Sequence, residues 1–124
     1  MILQGIHHTT LLVSDLERAR RFYESILELR PDDKRPAMKY PGVWYDVSPT
    51  QQLHLICVPG HVSPAVDPDC HPGHERHVAF MVFSFTELKK RLDQSAVPYT
   101  LSSSGRNALF CRDPDQNVLE FSGT

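Results

Sequence analysis

Four side chains scattered along the chain have the chemistry of a transition-metal site: His8, His54, His77 and Glu120. Three imidazoles and one carboxylate suit a borderline divalent ion such as Zn, Ni, Co, Fe(II) or Mn, and not Ca or Mg. A lone strand histidine is more often structural than functional, so this reading depends on the elements that carry the four residues. Three more side chains stand where a substrate would be met. Arg106, in the turn "SSSGR", is a cation suited to an anionic substrate. Trp44 and Tyr45 lie side by side in one strand, so one of them must face the cavity and the other must not.

The elements follow from periodicity. "HHTTLLV" reads as a strand ending at Ser14 and Asp15. A helix follows, with Leu16, Ala19, Phe22, Tyr23, Ile26 and Leu27 on one face, capped by Asp15 or by Ser14 with Glu17. "RPDDKRP" ends it. Strand-like runs come next around Met38 to Tyr40, in "VWYDV" and in "QLHLICV", with "SPTQQ" as a turn. The Pro-rich segment 59–76 excludes regular structure and reads as a linker or covering loop. The order then repeats. "HVAFMV" is a strand. Ser84 and Glu87 form a capping box before a helix with the stripe Phe85, Leu88, Leu92 and Ala96. "VPYTL", "NALFCR" and "VLEFS" are strands separated by the turns "SSSGR" and "DPDQN".

Each half therefore runs strand, helix, three strands, and an internal repeat changes how every motif is read. Superposing "HTTLLVSDLERA" on "HVAFMVFSFTEL" sets His8 on His77, and "QLHLI" on "VLEFS" sets His54 on Glu120. Strand side chains alternate faces. Val78, Phe80 and Val82 should pack under the helix, which frees the face bearing His77. Leu119 and Phe121 likewise leave Glu120 on the free face, and Leu53 and Leu55 leave His54 there. A Glu between two core positions also needs a partner if it is buried. His7 falls on the opposite face from His8 and reads as structural.

The segments "IHHTTLLVSDLERARRFYESIL", "HVAFMVFSFTELKKRL" and "FCRDPDQNVLEF" resemble the vicinal oxygen chelate superfamily, which includes glyoxalase I, extradiol dioxygenases, fosfomycin-resistance enzymes, methylmalonyl-CoA epimerase and bleomycin-binding proteins. With the repeat, the resemblance covers nearly the whole chain. It implies an α+β fold of paired βαβββ modules, forming a half-closed mixed β-sheet cup with helices on the outer face. The expected arrangement is one domain over 1–124, with module one at about 4–58, a linker at about 59–75 and module two at about 76–124. In the family a first-strand ligand stands seven residues before the helix-opening Asp, and counting back from Asp15 gives His8. The implied metal ligands are His8, His77 and Glu120, with His54 at a fourth position often held by Glu or Gln. Small members often build the site from two subunits, which implies a homodimer. The family turn usually reads Asp-Pro-Asp-Gly, whereas Gln116 stands at its fourth position and must take the backbone angle that Gly supplies.

The resemblance implies a metal-dependent, glyoxalase-like isomerase or lyase acting on a small-molecule substrate with vicinal oxygens, with Glu120 and His54 as catalytic candidates. His54 in place of a carboxylate weakens a strict glyoxalase I assignment. The alternatives are an Fe(II) extradiol-type dioxygenase with an open triad of His8, His77 and Glu120, and a non-catalytic small-molecule binding or resistance protein. "CHPGH" (Cys70, His71, His74) has metal-ligand spacing but no paired second half, and reads as loop. The formal net charge of −2, without a block of like charge, argues against a nucleic-acid or acidic-membrane partner. No apolar run is long enough to span a bilayer. "MILQGIHH" lacks the pattern of a signal peptide, so a cytoplasmic protein is the expectation. The three cysteines suggest no disulfide framework, and Cys57 and Cys111 read as reduced core residues.

Overall fold

A computed structural model describes all 124 residues. The chain divides into two compact units, Met1–Ser63 and Pro64–Thr124, so the division falls within the Pro-rich segment.

In the first unit the order is β1 (His8–Val13), α1 (Leu16–Arg20), a π-helical stretch (Arg21–Ile26), β2 (Gly42–Ser48) and β3 (Gln51–Cys57). The sheet order is β1-β3-β2, with β1 parallel and β2 antiparallel to β3. Asp15 caps α1 by accepting Arg18 N–H at 3.0 Å. The helix then widens, and Leu27 N–H reaches back five residues to Phe22 O at 3.3 Å. This widening, a π-bulge in all but length, was not legible from the apolar stripe. Ala19, Phe22 and Tyr23 are the buried members of that stripe. They meet Val13, Val43, Tyr45, Leu53 and Leu55 in the core.

The expected strand near Met38 to Tyr40 does not form. Met38 is irregular and Lys39 and Tyr40 form a bend, bracketed by Pro36 and Pro41, which lack backbone donors. The strand reduces to a single bridge from Pro31 to Tyr45, beside a bond from Asp32 N–H to Trp44 O at 2.7 Å. A proline is tolerated there because an edge position needs no ladder donor. Arg35, which follows, is half-buried and donates through Nη2 to Tyr40 O at 3.0 Å. The chain crosses its guanidinium at Gly42, where a Cβ would lie 2.7 Å from Arg35 Nη2 and 2.4 Å from Leu55 O.

The second unit runs through a 3-10 turn (Pro72–His74), then β4 (His77–Val82), α2 (Phe85–Gln94), β5 (Tyr99–Leu101), β6 (Ala108–Arg112) and β7 (Val118–Gly123). Its sheet order is β4-β7-β6-β5, with β4 parallel to β7 and the other pairs antiparallel. Ser84 caps α2 through Glu87 N–H at 3.1 Å. Phe85, Leu88 and Leu92 are buried, but α2 stops at Gln94, and Ala96 takes a left-handed φ of 55° beyond the helix. The stripe expected to reach Ala96 therefore ends one turn early. The core is closed by Leu109, Cys111, Val118, Leu119 and Phe121. Burial pushes the Cys111 thiol up to about 12, so it is an inert core group. Cys57 is only half-buried, and its Sγ lies 3.6 Å from Ser14 O.

The β6–β7 turn shows how the chain accommodates Gln116. Its φ is +67°, the angle expected from the missing glycine. Asp113 offsets the cost by accepting Asp115 and Asn117 N–H at 2.9 Å each, while its other oxygen accepts Asn117 Nδ2 at 2.9 Å.

Candidate metal half-sites

In the first unit, strand register sets Thr10, His54 and Trp44 abreast across β1, β3 and β2. His8 lies two residues before Thr10 and so shares that face. The result is a stack of three rings. His54 lies 4.0 Å from the His8 ring at 16° and 4.6 Å from the Trp44 ring at 11°. His54 is buried, and burial, followed by the neighbouring His8, His7 and Arg35, lowers its pKa to about 4. The imidazole is therefore neutral near pH 7, the form that binds a metal or accepts a proton. Its Nε2 lies 2.9 Å from Gln52 Oε1.

Tyr45 occupies the other face. It is fully buried beneath the helix and donates to Glu24 Oε2 at 2.8 Å, while Arg20 Nε meets the same oxygen at 2.5 Å. Trp44 is thus the residue on the His54 face. His7 lies just before β1, and its Nδ1 approaches His8 Nδ1 at 2.8 Å, so it flanks His8 rather than turning to the helix side.

In the second unit the same geometry recurs. Ala79, Glu120 and Phe110 stand abreast across β4, β7 and β6, with His77 two residues before Ala79. His77 Nε2 lies 3.1 Å from Glu120 Oε2. Glu120 is buried, and Arg106 Nη2 donates to its other oxygen at 2.6 Å. The turn arginine expected to meet an anionic substrate therefore rests on Glu120, while its own side chain remains 57% exposed. His77 Nδ1 lies 2.8 Å from Glu75 O, and the Glu75 carboxylate is clasped by Arg112, with Nη1 at 3.1 Å from Oε1.

Phe110 is the residue that sequence reasoning missed. It holds the position in the second sheet that Trp44 holds in the first, and its ring lies nearly perpendicular to those of His77 and His71, at centroid distances of 5.4 and 5.2 Å. Extending the repeat alignment by one strand would have found it. "CHPGH" is a docked turn: His71 Nδ1 accepts Gly73 N–H at 3.0 Å and caps its own 3-10 turn.

Each unit thus brings two of the four expected donors together: His8 with His54, and His77 with Glu120. No three His, Cys, Asp or Glu side chains cluster as a metal site. The donor chemistry nevertheless fits a divalent transition ion. Glu75 O can only accept, so His77 Nδ1 carries a hydrogen, and the Nε2 lone pair of neutral His77 then faces a carboxylate oxygen at 3.1 Å. Two acceptors converge there, and a shared proton or a cation removes the conflict.

The fold is that of the vicinal oxygen chelate class. The chain belongs to the glyoxalase/bleomycin resistance protein/dioxygenase superfamily, whose model matches residues 5–121. A glyoxalase/dioxygenase crystal structure from Nostoc punctiforme is similar at a TM-score of 0.80 and 23% identity, covering 98% of this chain and 92% of that one. Lactoylglutathione lyase from Agrobacterium tumefaciens gives a TM-score of 0.68 at 25% identity, with 99% and 96% covered. The trypanothione-dependent glyoxalase I of Leishmania major gives 0.72 at 25% identity, with 98% and 87% covered. No curated protein sequence matches the chain. No helix is long and apolar enough to cross a membrane.

Proposed function

We propose that this protein is a metal-dependent, glyoxalase-like isomerase or lyase of its superfamily, with His8, His54, His77 and Glu120 as the ligand donors. The observation that carries the reading is the convergence of His77 Nε2 and Glu120 Oε2 at 3.1 Å while Nδ1 is committed to Glu75 O. The similarity to two glyoxalase I enzymes at 25% identity supports the reaction class. A divalent ion, when bound, supplies Lewis-acid polarisation of two vicinal substrate oxygens. The chain's own residues do the rest. Glu120 Oε2 is the candidate proton carrier at the carbon beside the polarised oxygens. Arg106 steadies the other Glu120 oxygen and, being largely exposed, can turn to an anionic substrate group. Trp44 and Phe110 supply apolar walls beside the donors of their own units. A homodimer is part of the proposal. Leu12 on β1 and Met81 on β4, each strand at the end of its sheet, leave apolar side chains exposed for a second copy to cover.

The test is metal content followed by chemistry. Protein purified without added metal and then titrated with Zn, Ni and Co should take up one divalent ion per site, and His8→Ala or Glu120→Ala should abolish uptake. Isomerisation of a small α-oxo thiohemiacetal to the α-hydroxy thioester in D2O should then place deuterium at the carbon that Glu120 serves. Failure of every divalent ion to bind would sink the reading. Sedimentation at micromolar concentration should give a dimer, and a monomer would contradict that part.

A second reading has its own observation. The Nε2 of His54 is already taken by Gln52, which favours a triad of His8, His77 and Glu120 with His54 as acid or base. That is the ligand set of non-haem Fe(II) oxygenases. Oxygen consumption with a catechol after Fe(II) reconstitution distinguishes this dioxygenase from the isomerase.

A further inference from the structure

The hydrogen bonds around His54 fix which of its nitrogens is available. Gln52 sits on β3 between two acidic side chains, Asp46 opposite it on β2 and Asp32 in the segment after the helix. Its amide nitrogen lies 2.9 Å from Asp32 Oδ2 and 2.9 Å from Asp46 Oδ1. Carboxylates only accept, so the nitrogen end of the amide must face them. Asp32 cannot turn away readily, because its Oδ1 takes Lys34 N–H at 3.0 Å and Lys34 Nζ at 3.0 Å. The amide oxygen is therefore the atom that meets His54 Nε2 at 2.9 Å, and an amide oxygen also only accepts. His54 Nε2 must be the donor. Turning the ring over would present a carbon to Gln52, and the stack between His8 and Trp44 holds the ring plane.

We propose that Gln52, oriented by Asp32 and Asp46, is a positioning residue that holds His54 as the Nε2–H tautomer, so that His54 meets metal or substrate through Nδ1 alone. The proposal rests on the reading of His54 as a site residue and deepens it. Under either function above, the working atom of His54 is Nδ1. His77 is held the opposite way, with Nδ1 tied to Glu75 O and Nε2 turned to Glu120. Partners that fix the tautomer of a ligating histidine typically change metal affinity by about 10- to 100-fold when removed.

The experiment is long-range 1H–15N NMR on metal-free, 15N-labelled protein near neutral pH. His54 should appear as the Nε2–H tautomer and His77 as Nδ1–H or doubly protonated. Observation of His54 as Nδ1–H overturns the proposal. Gln52→Leu should convert the His54 signals to a mixture of tautomers without moving those of His77. The double variant Asp32→Asn, Asp46→Asn keeps Gln52 but frees its amide to turn over, and should give the same mixture. Unchanged His54 signals in both variants would refute the role of Gln52. Co(II) titration of the same samples separates this inference from the functional reading, and Gln52→Leu should weaken binding about 10- to 100-fold. Wild-type protein that binds no Co(II) yet shows the Nε2–H tautomer fails the functional reading and leaves the proposal standing.

Discussion

Replacing Tyr45 by Phe separates the two faces of β2 in one substitution. The Tyr45 ring is fully buried and stacks on Tyr23 at 6.0 Å, contacts that Phe keeps. What is lost is one O–H donated to Glu24 Oε2 at 2.8 Å. A hydrogen bond to a charged group contributes about 1.5–3 kcal/mol. Glu24 retains Arg20, and its side chain is 27% exposed, so it can recover some hydration. The net cost should therefore be about 1–2 kcal/mol, from just below that range to its lower part. For a chain of this length that corresponds to a fall in Tm of roughly 4–7 °C. Urea titration at pH 7 measures it directly, as a lower midpoint at unchanged slope. The pH dependence provides a second readout. Burial first, and then the Glu24 carboxylate, push the Tyr45 phenol up from 10.0. The unfolded chain therefore ionises first at this phenol, and wild-type stability falls as pH rises above about 10; Tyr45→Phe makes that slope shallower and leaves the part due to the Cys111 thiol. Substrate affinity should not change, because Tyr45 faces away from His54 and Trp44. Unchanged stability combined with weakened substrate binding would refute this placement of Tyr45.

Other substitutions probe the half-sites and the turn. Arg106→Gln removes a cation 2.6 Å from Glu120 Oε1 and should tighten divalent-ion binding several-fold, as read by Co(II) titration. His7→Ala should leave metal stoichiometry intact where His8→Ala abolishes it, as read by elemental analysis. Gln116→Gly relieves a φ of +67° and should raise stability by about 0.5–1 kcal/mol in urea without altering metal uptake. Glu24 and Glu75 are held below the usual 4.5. Arg20 and Tyr45 outweigh burial at Glu24, and Arg112 does so at Glu75. The stability they contribute is present above about 4.5 and lost as pH falls through their lowered values, which an acid titration followed by circular dichroism would show.

The sheets were legible because apolar alternation and β-branched runs dictate them locally. "HVAFMV" alternates, and its half-buried members are Val78, Phe80 and Val82 as expected. The N-cap at Ser84 and the left-handed Gln116 were legible for the same reason, since a few neighbouring backbone groups settle them. The strand near Met38 to Tyr40 misled because local propensity cannot weigh the donors that Pro36 and Pro41 remove from a ladder not yet located. The π-helical stretch was hidden because Phe22 and Tyr23 fit an α-helical stripe equally well.

Sequence by itself determined the candidate donors. The repeat aligns His8 with His77 and His54 with Glu120, and a side-chain period of two puts each pair on the face away from its helix. It could not decide between Trp44 and Tyr45, because adjacent strand residues differ only in which side the sheet buries, and that is set by where the helix packs. Tertiary structure made that choice and placed Arg106 on Glu120. It also placed Gln52 between Asp32, Asp46 and His54. Those contacts join residues distant in sequence whose directions depend on strand register, and register is a property of paired strands rather than of any one of them.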